Sequence, residues 1–215
     1  MSLKPRNSRI LAKKSIFYAI IAEKRVFMKI GRLYSFEAAH VVRDCASKRC
    51  KYSIHGHSYT AEIALSAKGL DKAGMIYDFG LMKREIGSII DCFDHSTILF
   101  TGDDDSYKNM IKTHSARWIE LPFNASAEQI ARVLFALISK ALSLTTMQNG
   151  ENGVFLEYVK LNETAKGWAC FEKADFESLG VDIASITCSQ AVSSESGDII
   201  SRLSKNEKFT NPKEL

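Results

Sequence analysis

Val26, Met28, Ile30, Tyr34, Phe36 and Ala38 share one parity along the chain, interrupted by Arg32, and that parity ends on His40. Alternation of this kind marks a strand with one buried face, because successive side chains leave the backbone on opposite sides. A first strand running into a loop is expected. Residues 41–54 (VVRDCASKRCKYSI) are irregular and basic. Beyond them Tyr59, Ala61, Ile63 and Leu65 alternate with Ser58, Thr60, Glu62 and Ser66, which predicts a second strand with one buried face. His55 and His57 fall on the buried parity.

The period then changes. Asp78 stands where an N-cap belongs, and Phe79, Met82, Ile86, Ile89, Ile90 and Phe93 follow at helical spacing, predicting a helix that stops near Asp94 and His95. Residues 101–119, with three consecutive aspartates from Asp103 to Asp105 and with His114, have low periodicity and read as an insertion. Ser126 followed by Gln129 predicts a capping box. The second helix it opens carries Ile130, Val133, Leu134, Leu137 and Ile138 inward and ends near Leu144. Asn149-Gly-Glu-Asn-Gly153 is turn chemistry. A strand over 154–161 delivers Asn162-Glu163-Thr164 at its end, and a further short strand is expected around 168–171. From Glu172 onward the tail is looser, with short apolar clusters at 181–186 and 199–203. No repeat or low-complexity segment is visible.

Composition bounds this picture. A chain of 215 residues, 46% hydrophobic and 25% charged, is long enough for one well-buried domain with decorations. Its net charge of +4 is mild, and no Lys/Arg cluster is interleaved with aromatics, so a nucleic-acid surface is not expected. A small anionic ligand accounts better for the excess. Five cysteines (Cys45, Cys50, Cys92, Cys170, Cys188) match neither a disulfide framework nor a CxxC ribbon, which points to a reducing cytoplasm. Residues 1–27 form an N-terminal extension with Lys4, Arg6, Arg9, Lys13 and Lys14 around an apolar run at 16–22. That run is too short to span a bilayer and no small-x-small cleavage site follows it. An added helix, a flexible arm, or sequence upstream of a start at Met28 are the better readings, with a targeting segment the lesser alternative. No membrane partner is expected, and residues 172–215 form a C-terminal extension.

The chemistry has to come from polar residues that the strand ends bring together. In a strand, residues two apart project to one side, so His55 and His57 can ligate a single ion, while Gly56 between them removes bulk on the other face. His40, ending the neighbouring strand on the same parity, is the natural third ligand. Three neutral imidazoles suit zinc and leave a fourth position open, as in a catalytic site. The plainer alternative is a chance HxH beside a core histidine. Cys50 lies among Lys48, Arg49 and Lys51, where it can be held as thiolate, the form that acts as base or nucleophile. Alternatively Cys45 and Cys50 are small apolar loop residues. Asp94 beside His95 can fix the imidazole tautomer and raise its basicity, or be a solvated turn after a helix.

Taken in order, Phe36-Glu-Ala-Ala-His40, a cysteine before His55-Gly-His57-Ser-Tyr59, Gly74-Met-Ile-Tyr-Asp-Phe79, Phe93-Asp-His95, Ser126-Ala-Glu128 and Asn162-Glu-Thr164 resemble the 6-pyruvoyl-tetrahydropterin synthase family, which includes the bacterial 6-carboxytetrahydropterin synthases of queuosine biosynthesis. The resemblance covers residues 28–171, interrupted at 101–119. It implies an α+β tunnelling fold of two strand pairs and two helices per subunit. Subunit sheets would close into a barrel in a homo-oligomer, commonly a hexamer of two trimers with active sites at subunit interfaces. It implies Zn2+ on His40, His55 and His57, with Cys50 as catalytic base and Asp94 and His95 completing its triad. Glu163 would anchor the pterin, with Ser126 also at the substrate.

The substrate so implied is 7,8-dihydroneopterin triphosphate. The Phe-Glu-Ala-Ala-His form and the short loop look more like the queuosine-pathway enzymes, whose product is 6-carboxytetrahydropterin, formed with loss of triphosphate and acetaldehyde. The alternative product is 6-pyruvoyltetrahydropterin. With Cys50 present and no glutamate between Glu37 and Glu62, the variant that makes 6-hydroxymethyldihydropterin fits less well. A non-catalytic zinc or pterin-binding module is a further alternative, against which the intact cysteine and Asp-His pair weigh. The spacing of five residues between Cys50 and His55 leaves Cys45 as the other candidate base. From charge alone, Arg43, Lys48 and Lys51 are candidates to meet the triphosphate.

Overall fold

A computed structural model describes residues 28–215 of the chain; the N-terminal extension lies outside the described residues. Strands β1 (Lys29–His40) and β2 (His55–Ser66) pair antiparallel along their whole length, which sets His40 opposite His55 and Ala38 opposite His57. Phe36 lies opposite Tyr59, their rings stacked with centroids 5.0 Å apart, and Phe93 packs at 5.9 Å from Phe36. Such cross-strand aromatic pairs hold register, because a one-residue slip would turn every buried side chain to solvent. The loop between the strands contains helix α1 (Lys48–Tyr52), which carries Cys50.

The helical spacing after Asp78 resolves into two pieces. A 3-10 turn at Leu81–Lys83 precedes helix α2 (Glu85–Asp91), and Arg84 between them leaves the helical path at ψ −107°. The Asp78 carboxylate accepts from the Gly80 N–H at 2.6 Å just ahead of the turn, whose N-cap residue is Gly80.

Residues 96–121 depart most from the expected excursion. They form strand β3 (Ser96–Phe100), helix α3 (Asp105–His114) and strand β4 (Trp118–Leu121), with β3 parallel to both β1 and β4. The three aspartates divide the work. Asp103 is buried, the Asp104 carboxylate caps α3 by accepting from the Ser106 N–H at 2.9 Å, and Asp105 is exposed.

Helix α4 (Ala127–Leu144) carries more buried residues than any other described helix, from Ile130 to Leu144. Ser126 is its N-cap residue, but the expected capping box does not form: the hydroxyl makes no cap hydrogen bond, and Gln129 turns away to accept from Arg132 at 3.1 Å. Short strand β5 (Thr145–Thr146) follows, then β6 (Phe155–Asn162) and β7 (Trp168–Glu172). The tail is ordered into α5 (Lys173–Phe176), β8 (Thr187–Cys188), α6 (Gln190–Glu195), α7 (Ile199–Ser204) and β9 (Phe209–Thr210). The main sheet runs β7-β6-β2-β1-β3-β4-β8, while β5 and β9 pair separately.

α4 covers β6 and β7 and packs beside α2, with Phe135 at 5.4 Å from Phe171, so the core lies on one side of the sheet. On the other side Leu33 and Trp168 stay 65% and 60% exposed. No helix among the described residues is long and apolar enough to cross a membrane.

Candidate metal centre and acid-base cleft

Pairing brings the three histidines together without help from the loops. His40 and His55 are register partners, and His57 lies diagonally across from His40 on the same face. Ring centroids stand 4.5 Å (His40 to His55), 5.2 Å (His40 to His57) and 5.1 Å (His55 to His57) apart. One nitrogen from each lies within 4.8 Å of the others, a geometry that can hold a metal ion.

Hydrogen bonds orient the rings. His40 Nδ1 lies 2.6 Å from the Ala125 carbonyl oxygen and His55 Nδ1 lies 3.0 Å from that of Ser53. A carbonyl only accepts, so each Nδ1 carries the proton and each Nε2 keeps its lone pair for a metal. His57 Nε2 is buried and has no hydrogen-bond partner, the condition of a nitrogen awaiting a ligand. Burial, with the neighbouring His55 and His57, pulls the His40 pKa down to about 4 against the hydrogen bond to Ala125. It is therefore neutral at ordinary pH, as a metal ligand must be. The residues present fit zinc.

Glu163 and Tyr59 stand at this centre, while Ser126 and Cys50 are connected to it through neighbouring backbone. Glu163, just past β6, holds Oε1 3.5 Å from His40 Nε2 and 3.7 Å from His57 Nε2. Ser126 is adjacent to Ala125, whose carbonyl orients His40. The Tyr59 hydroxyl lies 3.3 Å from His40 Nδ1; the spacing of two from His57 was the available signal for it, although its burial gives it the look of a core tyrosine. Cys50 is half-buried on α1, its carbonyl accepting from the Val42 N–H at 3.0 Å, so its helix is tied to the chain just past His40. Cys45 is likewise half-buried, with its thiol against the Ser47 carbonyl at 3.2 Å.

Asp94 and His95 are placed elsewhere. They bracket the Glu37 peptide: Asp94 Oδ1 accepts from the Glu37 N–H at 2.8 Å, and the His95 N–H donates to the Glu37 carbonyl at 2.6 Å. Asp94 Oδ2 lies 3.0 Å from His95 Nδ1, and the His95 ring is 73% exposed. Burial alone would raise the Asp94 carboxyl, but the Glu37 N–H and His95 outweigh it and hold it below the usual carboxylate range. His95 sits at φ +53°, a left-handed conformation that an ordinary residue keeps only where its surroundings impose it.

The cleft that His95 borders is lined by Glu37, Ala39, Gly56, His57, Ser58 and Thr97. Register sets Glu37, Ala39, Gly56, Ser58 and Thr97 on one face of the sheet and the three imidazoles on the other, so His57 borders both the cleft and the imidazole cluster. Within one chain, no contact among the described residues joins Cys50 to Asp94 or His95. Arg43 and Lys51 are occupied by carboxylates, Arg43 Nε by Asp103 at 2.6 Å and Lys51 by Asp44 at 3.2 Å.

The family model of 6-pyruvoyl tetrahydropterin synthase matches residues 29–174. The chain belongs to that family. It is 37% identical over 142 residues to a 6-carboxy-5,6,7,8-tetrahydropterin synthase of Helicobacter pylori (strain J99), an alignment covering 66% of this chain and 71% of the relative. A protein of the same name from Rickettsia bellii is 39% identical over 106 residues, 48% of this chain and 75% of the relative. Among solved structures, an uncharacterised protein of Wolinella succinogenes superposes with a TM-score of 0.55 at 18% identity, covering 69% of this chain and 99% of that one. The 6-pyruvoyl tetrahydropterin synthase of Plasmodium falciparum superposes at 0.51 and 16% identity, covering 68% and 98%. The α+β tunnelling-fold subunit is thus the family's own.

Proposed function

We propose that this chain is a zinc-dependent lyase that converts 7,8-dihydroneopterin triphosphate to 6-carboxy-5,6,7,8-tetrahydropterin, with loss of triphosphate and acetaldehyde. The observation that carries the reading is the convergence of three imidazoles, His57 Nε2 among them without a hydrogen-bond partner, beside the Glu163 carboxylate, in a chain 37% identical to relatives of that name. His40, His55 and His57 would hold the ion, which supplies Lewis-acid polarisation of the substrate's side-chain oxygens.

The chain's own groups do the rest. The pterin edge offers adjacent N–H donors, and the Glu163 carboxylate accepts two parallel hydrogen bonds from them, fixing the ring with its side chain toward the imidazoles. Ser126, whose hydroxyl is not used as a cap, is free to meet the substrate. Cys50 as thiolate takes a proton from the side chain, and His95, oriented by Asp94, moves one on the opposite side.

Because His95 and the imidazoles occupy opposite faces of one sheet, the reading places the Asp94–His95 pair of one subunit at the imidazoles of the next. Two edges that are open among the described residues support assembly of a homo-oligomer: there β1 pairs only with β2 from Lys29 to Glu37, and β7 pairs only with β6. Unpaired strand edges beside an exposed Leu33 and Trp168 favour joining to copies of the same chain. Barrel closure as a trimer, doubled to a hexamer, follows the family pattern.

Incubating the zinc-loaded protein with dihydroneopterin triphosphate and identifying the pterin by mass spectrometry, with a coupled assay for acetaldehyde, tests the proposal. 6-Carboxytetrahydropterin with equimolar acetaldehyde is expected. 6-Pyruvoyltetrahydropterin without acetaldehyde would move the chain to the other reaction of its family, and absence of turnover would sink the enzymatic reading.

A further inference from the structure

Arg43 follows His40 by three residues and joins three parts of the chain that sequence separates. Its Nε donates to Asp103 Oδ1 at 2.6 Å, its Nη1 reaches the Lys51 carbonyl at 3.3 Å, and its guanidinium lies 4.8 Å from the centre of the Tyr107 ring. Its backbone is gripped as firmly: Asn124 accepts from the Arg43 N–H at 2.9 Å and donates to its carbonyl at 2.5 Å.

Two of these partners lead to the candidate centre. Lys51 adjoins Cys50 on α1, and Asn124 adjoins Ala125, whose carbonyl orients His40. Asp103 and Tyr107 belong to residues 101–119. The Asp103 side chain is 2% exposed, and its second oxygen accepts from the Phe100 N–H at 3.0 Å, so the carboxylate is locked before it meets Arg43. The Asp103 carboxylate, buried and paired with a guanidinium in this way, holds it firmly, because that carboxylate left alone in its environment is strongly disfavoured.

We infer that Arg43 is a positioning residue, clamped by Asp103 so that its side chain holds the Cys50 helix and its backbone holds the loop that orients His40. Residues 101–119 thereby act as a brace on the site rather than a peripheral decoration. With its charge neutralised by Asp103, Arg43 is not a grip for the substrate's triphosphate. The inference rests on the proposed function only for its kinetic consequence.

Two arms test it on the full-length, zinc-loaded protein. In the first, Asp103→Asn and Arg43→Lys are each expected to lower kcat about tenfold or more with KM within about threefold, the pattern of a misplaced reacting group. The double variant is expected to be no worse than the more impaired single, since the residues act as one unit. A raised KM with unchanged kcat in Arg43→Lys would show a phosphate grip and overturn the inference. The second arm needs no turnover: iodoacetamide labelling of Cys50, followed by peptide mass mapping, is expected to run at least about threefold faster in the variants as α1 loosens. Unchanged labelling, or a lowered melting temperature with kcat and labelling retained, would reduce the clamp to ordinary stabilisation. If Asp103→Asn does not fold, Arg43→Lys, which keeps the cation, decides alone. If the wild type fails to turn over, the proposed function falls while the labelling arm still judges the brace.

Discussion

The guanidinium of Arg117 donates through Nε to the Asp94 carbonyl at 2.8 Å. It also donates through Nη2 to the Asp91 carbonyl at 2.5 Å and pairs through Nη1 with the Glu195 carboxylate. A cation here adds to the bonds at the carbonyls that follow α2 and ties down the turn that presents His95. Arg117→Ala is expected to destabilise the fold by about 2–3 kcal/mol, since charge-assisted bonds from a side chain only 13% exposed are lost and their acceptors stay partly buried. Glu195→Gln should cost under about 1 kcal/mol, its carboxylate being 60% exposed. Urea unfolding of both variants checks the ranking, and equal losses would contradict it.

Acid should act on the same turn. The Asp94 carboxyl titrates below its ordinary value when folded, so it binds fewer protons in the native than in the unfolded chain over that interval. Its contribution to stability is therefore complete above the unfolded value of about 3.9 and is lost as pH falls through the lower folded one. The stability difference between wild type and Asp94→Asn should shrink as pH falls from about 5 to below about 4. Calorimetric melting across that range gives the comparison, and a difference that grows on acidification would reverse the assignment.

Metal loading makes a separate prediction. Zinc added to metal-free protein at neutral pH should raise the melting temperature by several degrees, because a ligand of the native state alone stabilises it by mass action. A chelator should reverse the rise, and His57→Ala should abolish it together with stoichiometric binding measured by atomic emission. A full rise in His57→Ala would remove this residue from the ligand set.

Gly56 sets how closely the two strands carrying the imidazoles approach. A Cβ added there would lie 3.1 Å from the Ala38 carbonyl oxygen, so Gly56→Ala must displace β1 by a few tenths of an ångström between His40 and His57. Zinc affinity is expected to fall about tenfold, the size of effect usual for residues that orient ligands, while the fold persists. Competition with a chromophoric chelator measures it, and unaltered affinity would show that the hairpin absorbs the strain elsewhere.

The alternation from Ile30 to Leu65 makes β1 and β2 legible because one face is buried throughout, and with those strands come His40, His55 and His57 in register. Helix α3 is not legible in the same way. Ile111 is its one buried residue, and Lys108 and Lys112 reach Glu120 of β4 at 3.8 and 2.6 Å, contacts that leave no apolar period to read. The helix expected after Asp78 breaks at Arg84, whose guanidinium reaches the Thr210 carbonyl at 3.0 Å from a distant part of the chain. The position of His95 depends on β3 lying parallel beside β1, a long-range pairing that no local pattern encodes. Glu163 was readable as a polar residue at a strand end, whereas its approach to two imidazoles requires β6 to pair with β2.

The placement of imidazoles and His95 on opposite faces of one sheet has a genetic consequence. In the assembly proposed above, a subunit lacking His95 and a subunit lacking His57 fail for different reasons. Each retains the half the other has lost. Two such alleles expressed in one cell would mix into shared oligomers in which some sites are whole, so that neither allele alone supports growth where the product is required, yet the pair does.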